Sequence, residues 1–186
     1  MKFPDHPFWD FALSVYKSEG VPVACLHLQE RHRLDVNMLL FCLWLGASGR
    51  GVLSEEEVLA VMAATDRWHR TVVKGLRLVR RALKDGFEDA PADLRVQLRA
   101  QVQATEIDAE HMEQLMLAAQ VHRDVTLEDA PAVARAADSV SNVAAYFRAI
   151  DVQFEPCDAV DFAHILSKGF SDLKPDTALD LSEKLM

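Results

Sequence analysis

Apolar residues recur every three or four positions along the chain, and no stretch alternates strictly for more than a few residues. The pattern predicts helix almost throughout and no strand. Asp5 is positioned to cap a first helix that Pro7 opens, with Phe8, Ala12 and Tyr16 on one side, Trp9 and Leu13 beside them, and Gly20 as the stop. Pro22 starts a short second helix, Val23 to about His32. The segment from Asp35, a capping residue, to Ala47 is apolar on every side, so it is expected to be the central buried helix. Gly46, Gly49 and Gly51 break the chain, and Ser54 with Glu57 forms a capping box ahead of a long helix to about Lys84. A turn over Gly86 to Pro91 leads into a helix from Asp93 to about Val121, with Leu94, Leu98, Val102, Thr105, Ala109, Met112 and Met116 on one stripe. Thr126 opens another helix that turns Val133, Ala137, Val140, Ala144 and Phe147 inward. After Pro156 a short helix around Val160 to Lys168 precedes a polar tail containing Pro175.

The expected fold is therefore all-α, a single-domain bundle of about five or six helices over residues 5–150 with a C-terminal helical and polar extension over 151–186. At 186 residues and 50% hydrophobic content the chain is long enough to fold on its own core, so stability demands no disulfide, metal or other cofactor. The longest apolar run, Met38 to Gly46, is about half of the roughly 20 residues that cross a bilayer. Cys25, Cys42 and Cys157 are an odd count without a C-x-x-C pair, which excludes a disulfide framework and a zinc knuckle and fits a cytoplasmic protein.

The net charge of −9 hides an asymmetry: residues 1–90 carry 12 basic and 12 acidic side chains, the remainder 8 and 17. Such a chain is a poor prior for general nucleic-acid binding, since counterion release needs a basic surface, and only a local basic patch leaves it open. The long helix departs from that balance. Arg67, Arg70, Lys74, Arg77, Arg81 and Lys84 follow one another at three- and four-residue steps, with Trp68, Val72, Leu76, Val79 and Leu83 opposite. In an antiparallel hairpin about the following turn, residue n would face about 177 minus n, so Arg67 and Arg70 would meet Glu110 and Glu106 while Arg77, Arg81 and Lys84 stay unpaired beside Arg95 and Arg99. Arg77, Arg81, Lys84, Arg95 and Arg99 are thus the candidate surface for a protein partner, with a second copy of the chain among the options.

Three Asp-x-x-His pairs, Asp66/His69, Asp108/His111 and Asp161/His164, share a spacing that helical metal sites use, and Glu106 and Glu110 lie near the second. In a chain this rich in Asp such pairs arise by chance, and surface or capping roles are expected, with no metal site. Cys25 with His27 and His32 lacks the facing geometry of a nucleophile and its base, and the glycines around Ser48 lack the order of a P-loop or a nucleophile elbow. No catalytic residue is assigned.

The N-terminal run Phe8-Trp9-Asp10-Phe11, Tyr16, Gly20-Val21-Pro22, Cys25 to Gln29, Asp35 to Leu40 and Trp44 resembles a proteobacterial family of uncharacterised proteins, DUF2390. Trp68, Val72, Leu76-Arg77, Arg80 to Lys84, Glu106, Ala109-Glu110 and Leu115 continue the resemblance, which covers residues 7 to about 120, with Asn142 to Tyr146 extending it. It implies a small helical cytoplasmic protein and brings no reaction, cofactor or catalytic residue. It also implies a glycine at the end of the second helix, where this chain carries Arg33-Leu34. Within the resembling motif Gln29, Asp35 and Asn37 border the apolar helix, and buried polar groups need partners. They are read first as caps and ties, and otherwise as a polar pocket walled by Trp9, Trp44 and Trp68. The expected role is a non-enzymatic interaction or accessory module on the basic face; the alternative is a ligand- or metal-binding bundle centred on that pocket.

Overall fold

The computed structural model describes residues 3–85, 87 and 89–186. In chain order α1 spans Pro7–Tyr16, α2 Val21–His32, α3 Val36–Ala47, α4 Glu55–Trp68, α5 Lys74–Asp85, α6 Ala92–Ala119, α7 Ala132–Ala149, α8 Pro156–Gly169 and α9 Pro175–Ser182. The architecture is all-α, and no strand occurs among the described residues. A π turn, His69–Val73, joins α4 to α5 and makes the long rod that the capping box announces. Helices outnumber the expected five or six partly because the tail taken as polar folds as α9, which buries Ala178, Leu181 and Ser182.

The core is organised around α3, buried continuously from Asn37 to Gly46. Its N-terminus is closed by Asp35, whose Oδ1 accepts the Asn37 N–H at 2.8 Å. Gly46 is helical instead of chain-breaking: an added Cβ would overlap Ser139 and the Arg135 carbonyl, so the missing side chain is what lets α7 cross α3 closely. Ser139 Oγ reinforces the crossing by donating to the Leu43 carbonyl at 2.8 Å. Buried Asn142 accepts the Leu53 N–H and donates to the Gly51 carbonyl, which ties the loop after α3 onto α7.

Three sequence expectations change. His6, not Asp5, caps α1, because its Nδ1 accepts the Phe8 N–H at 3.1 Å. Helix α7 begins at Ala132 instead of Thr126, whose N–H bonds to the Gly49 carbonyl, and Val133 is exposed. Leu94 and Leu98 are exposed because their end of α6 packs chiefly along α5, in which no described side chain is buried. Of the turn expected over 86–91, Gly86 and Glu88 lie outside the described residues.

Candidate functional site

Where α3 begins, the π turn passes and α6 crosses, three ionisable side chains meet. His69 Nδ1 lies 3.2 Å from Asp35 Oδ2 and 3.0 Å from Glu113 Oε1. Each comes from a different stretch of chain, and Glu113 is fully buried. The π turn helps bring His69 there. Thr65, His69, Val73 and Arg77 recur every four residues on the inward side of the rod, a step that drifts by about 40° in a 3.6-residue helix. The wider π turn takes up part of that drift, and such turns concentrate at functional sites.

Asn37 organises the cluster. Its backbone N–H is taken by Asp35 Oδ1 and its Nδ2–H donates to Glu113 Oε2 at 2.7 Å, while its own Oδ1 accepts Gln114 Nε2–H at 2.9 Å. Tyr146 on α7 closes the far side, its hydroxyl accepting the Asp35 N–H at 2.8 Å. Burial pushes the Asp35 carboxyl up to about 7, and Glu113 beside it pushes the same way against the pull of His69. Burial draws His69 down, but hydrogen bonding to Glu113 and the charges of Asp35 and Glu113 outweigh it and leave the imidazole raised.

Two cavities flank Asp35. The first, about 400 Å³, has Asp35, His69 and Tyr146 among its lining, with Met38, Leu59 and Met62 as apolar walls and Arg33, Arg70 and Lys74 contributing cations. The second, about 250 Å³, is lined by Trp9, Tyr16, Asp35, Asn37, Arg77, Glu110 and Gln114 among others. The structure thus brings Trp9, Asp35 and Asn37 round one cavity. Gln29 is elsewhere, accepting from Arg77 Nη1 at 2.9 Å. Trp44 packs among Phe8 and Phe41 with the Arg50 guanidinium over its ring, and Trp68 donates from Nε1 to the Ala109 carbonyl, so neither lines either cavity.

The basic face also reads differently in three dimensions. Arg77 is drawn inward and donates to Glu106, Glu110 and Gln29, and Arg80 donates to Glu106. Glu106 and Glu110 were expected opposite Arg70 and Arg67, yet Arg70 pairs with Asp66 on its own helix. The displacement has a geometric cause. Side chains on both helices lean toward their own N-termini, so across an antiparallel pair the tips join residues whose numbers sum to more than the backbone register. Arg81 and Lys84 stay exposed, and Arg95 and Arg99 are half-buried.

The Asp-x-x-His pairs do not converge. His111 is stacked on Trp9 with ring centroids 3.9 Å apart, Asp161 pairs with His27 and Arg31, and His164 meets the Glu19 carbonyl. His69 alone of the three histidines enters the cluster. Glu113 lies off the stripe through Met112 and Met116, which sets the wrong phase for the C-terminal half of α6. Its real inward face carries Glu106, Ala109, Glu113 and Leu117, and two acids in phase with buried Ala and Leu were the available signal.

The molecule is thus an all-helical protein with a buried carboxylate–imidazole cluster at the edge of a ligand-sized cavity. By sequence the chain belongs to the family described as protein of unknown function (DUF2390), whose match spans residues 7–117 and so contains Asp35, His69 and Glu113 but not Tyr146. No curated protein and no solved structure matches it. No described helix is long and apolar enough to cross a membrane.

Proposed function

We propose that the protein binds a small anion-bearing molecule, a carboxylate or phosphate ester, in the cavity lined by Asp35, His69 and Tyr146. The observation that carries this reading is a cavity of about 400 Å³ that sets the cations of Arg33 and Lys74 among apolar walls, with His69 and Tyr146 at its inner edge. That volume falls in the ordinary range for ligand pockets, and apolar walls with a few convergent polar groups are their usual composition. Lys74 and Arg33 supply the countercharge for the anion, Arg70 being paired with Asp66 on the same wall, while Met38, Leu59 and Met62 take an apolar body.

A ligand that binds the native state raises the melting temperature by mass action, by about 2.7 kcal/mol of stability at a hundredfold excess over Kd. Screening carboxylates and phosphate esters should give a stabilising compound whose effect disappears in Ala63→Trp, which fills the cavity from an exposed wall position, and weakens in Lys74→Ala. A compound that stabilises all three proteins equally binds elsewhere and defeats the reading.

A second reading, a protein-docking surface, draws support from the outer end of the α5–α6 hairpin. Leu78, Leu94 and Val96 are 70%, 63% and 65% exposed there, beside Arg81 and Lys84. An amphipathic acidic helix of a partner fits that chemistry. With Arg77 committed to internal pairs, the variant that tests it is Arg81→Glu/Lys84→Glu, which should retain wild-type helicity and lose partner capture from lysate. Capture that survives the reversal rules the surface out.

A further inference from the structure

We infer that Asp35, His69 and Glu113 bind a divalent first-row transition ion, with Asn37 as the residue that aims both carboxylates at it. This deepens the pocket reading, since Asp35 and His69 also line the cavity and an ion there would present open coordination positions to an incoming anion.

Three lines of geometry and charge support the site. The donor atoms of the three residues all lie within 4.8 Å of one another, with His69 Nδ1 at 3.2 Å and 3.0 Å from the nearest oxygens of Asp35 and Glu113. Donors held about 2.1 Å from one ion stand roughly 3–4 Å apart, so the site needs little movement to close. Each carboxylate has its other oxygen occupied by Asn37: Asp35 Oδ1 by the backbone N–H, Glu113 Oε2 by Nδ2–H. Gln114 fixes Asn37 in turn. Such outer partners orient metal ligands and matter nearly as much as the ligands.

Charge points the same way. Two carboxylates share one imidazole, and no Lys or Arg ion pair reaches either of them among the described residues. At the other interhelical carboxylates the arrangement differs: Glu106 has Arg77 and Arg80, and Asp158 has Arg31 and His32. A bound dication would supply here the countercharge that arginine supplies at those two carboxylates. One nitrogen and two oxygens suit Mn²⁺, Fe²⁺, Co²⁺ or Zn²⁺, whereas Ca²⁺ and Mg²⁺ favour oxygen-only sites.

The test titrates the full chain, carrying Cys157→Ser to remove the exposed thiol, with Co²⁺, Mn²⁺ and Zn²⁺ by calorimetry and, for Co²⁺, by visible absorption. One equivalent should bind; His69→Gln and Glu113→Gln should weaken binding at least about tenfold, and Asn37→Ala roughly 10–100-fold, while His111→Gln leaves it unchanged. Circular dichroism checks each fold, and Asp35→Asn, at a less buried ligand, serves if Glu113→Gln does not fold. No uptake, uptake indifferent to these substitutions, or binding of Ca²⁺ and Mg²⁺ in preference overturns the site. The two proposals fail separately. An anion that stabilises the metal-free protein without any metal binding leaves the pocket and removes the ion, whereas metal binding without any anion effect does the reverse.

Discussion

At the scale of the residue, identical chemistry has opposite value at different positions. Gly46 lies where α3 and α7 touch, and an added methyl would meet Ser139 and the Arg135 carbonyl, both backbone-anchored. Gly75, in α5, has nothing within 4 Å of the same added atom. Gly46→Ala should therefore destabilise by about 1–3 kcal/mol through overpacking. Gly75→Ala should stabilise by roughly 0.5–1 kcal/mol by restricting the unfolded chain and favouring helix. Paired denaturant titrations check the signs, and equal shifts would mean that the α3–α7 contact is looser than described. Arg33 is a different kind of special position. It caps the C-terminus of α2 with φ 55°, the left-handed conformation that glycine adopts freely, which is the glycine implied by the family resemblance. Arg33 also lines the cavity beside Asp35.

At the scale of the element, ion pairs decide how helices dock. Helix α8 is held on α2 by Arg31, whose Nε reaches Asp158 Oδ1 at 2.6 Å, and by His32, whose Nε2 is 2.8 Å from Asp158 Oδ2. Burial raises the Asp158 carboxyl, but the Glu155 N–H and the bonds to His32 and Arg31 outweigh it and hold the group below the usual aspartate range. A depressed folded-state pKa means that the ionised carboxylate stabilises the fold above the unfolded value of about 3.9 and loses that contribution as pH falls through the folded value. Wild type should accordingly exceed Asp158→Asn in stability at pH 7, and the gap should close below about pH 4. A gap independent of pH would show that packing, and not charge, sets the difference. The same scale shows what was legible in the sequence. Apolar period, Pro and the capping box place α1 to α3 and the rod that α4 and α5 share, and mark Asp35 as a cap, because these depend on neighbours within a turn or two. The phase of α6 was lost because a 28-residue helix changes partners along its length, from α5 at one end to α1, α3 and α4 at the other. The π turn leaves no local signature, so the sequence pattern puts Arg77 on an outward basic face although its guanidinium is turned inward to Glu106 and Glu110.

At the scale of the whole molecule, the matched region and the folding unit have different extents. The family match ends at residue 117, yet Tyr146 supports Asp35 and the hydrophobic core runs on through α7, α8 and α9. Phe162, Ile165 and Leu166 on α8 are each 0% exposed, and Ala178 on α9 likewise. Fully burying one large apolar side chain contributes about 1.5–3 kcal/mol, so those three on α8 together approach the roughly 5–15 kcal/mol net stability of a typical domain. Removing α8 and α9 also uncovers their neighbours on α1, α2, α3 and α7. A chain cut after Ile150 retains every residue of the carboxylate–imidazole cluster but should lose cooperative unfolding, with a broad thermal transition and dye binding typical of exposed apolar surface. If the shortened chain instead melts sharply within a few degrees of the full one, residues 5–150 form the autonomous bundle that the sequence suggests and α8 and α9 are an accessory layer. In that case the cluster and its cavity would be testable on the smaller unit. A broad transition would make α8 and α9 part of what holds Asp35, His69 and Glu113 in place, through α2 and α7 on either side of the cavity.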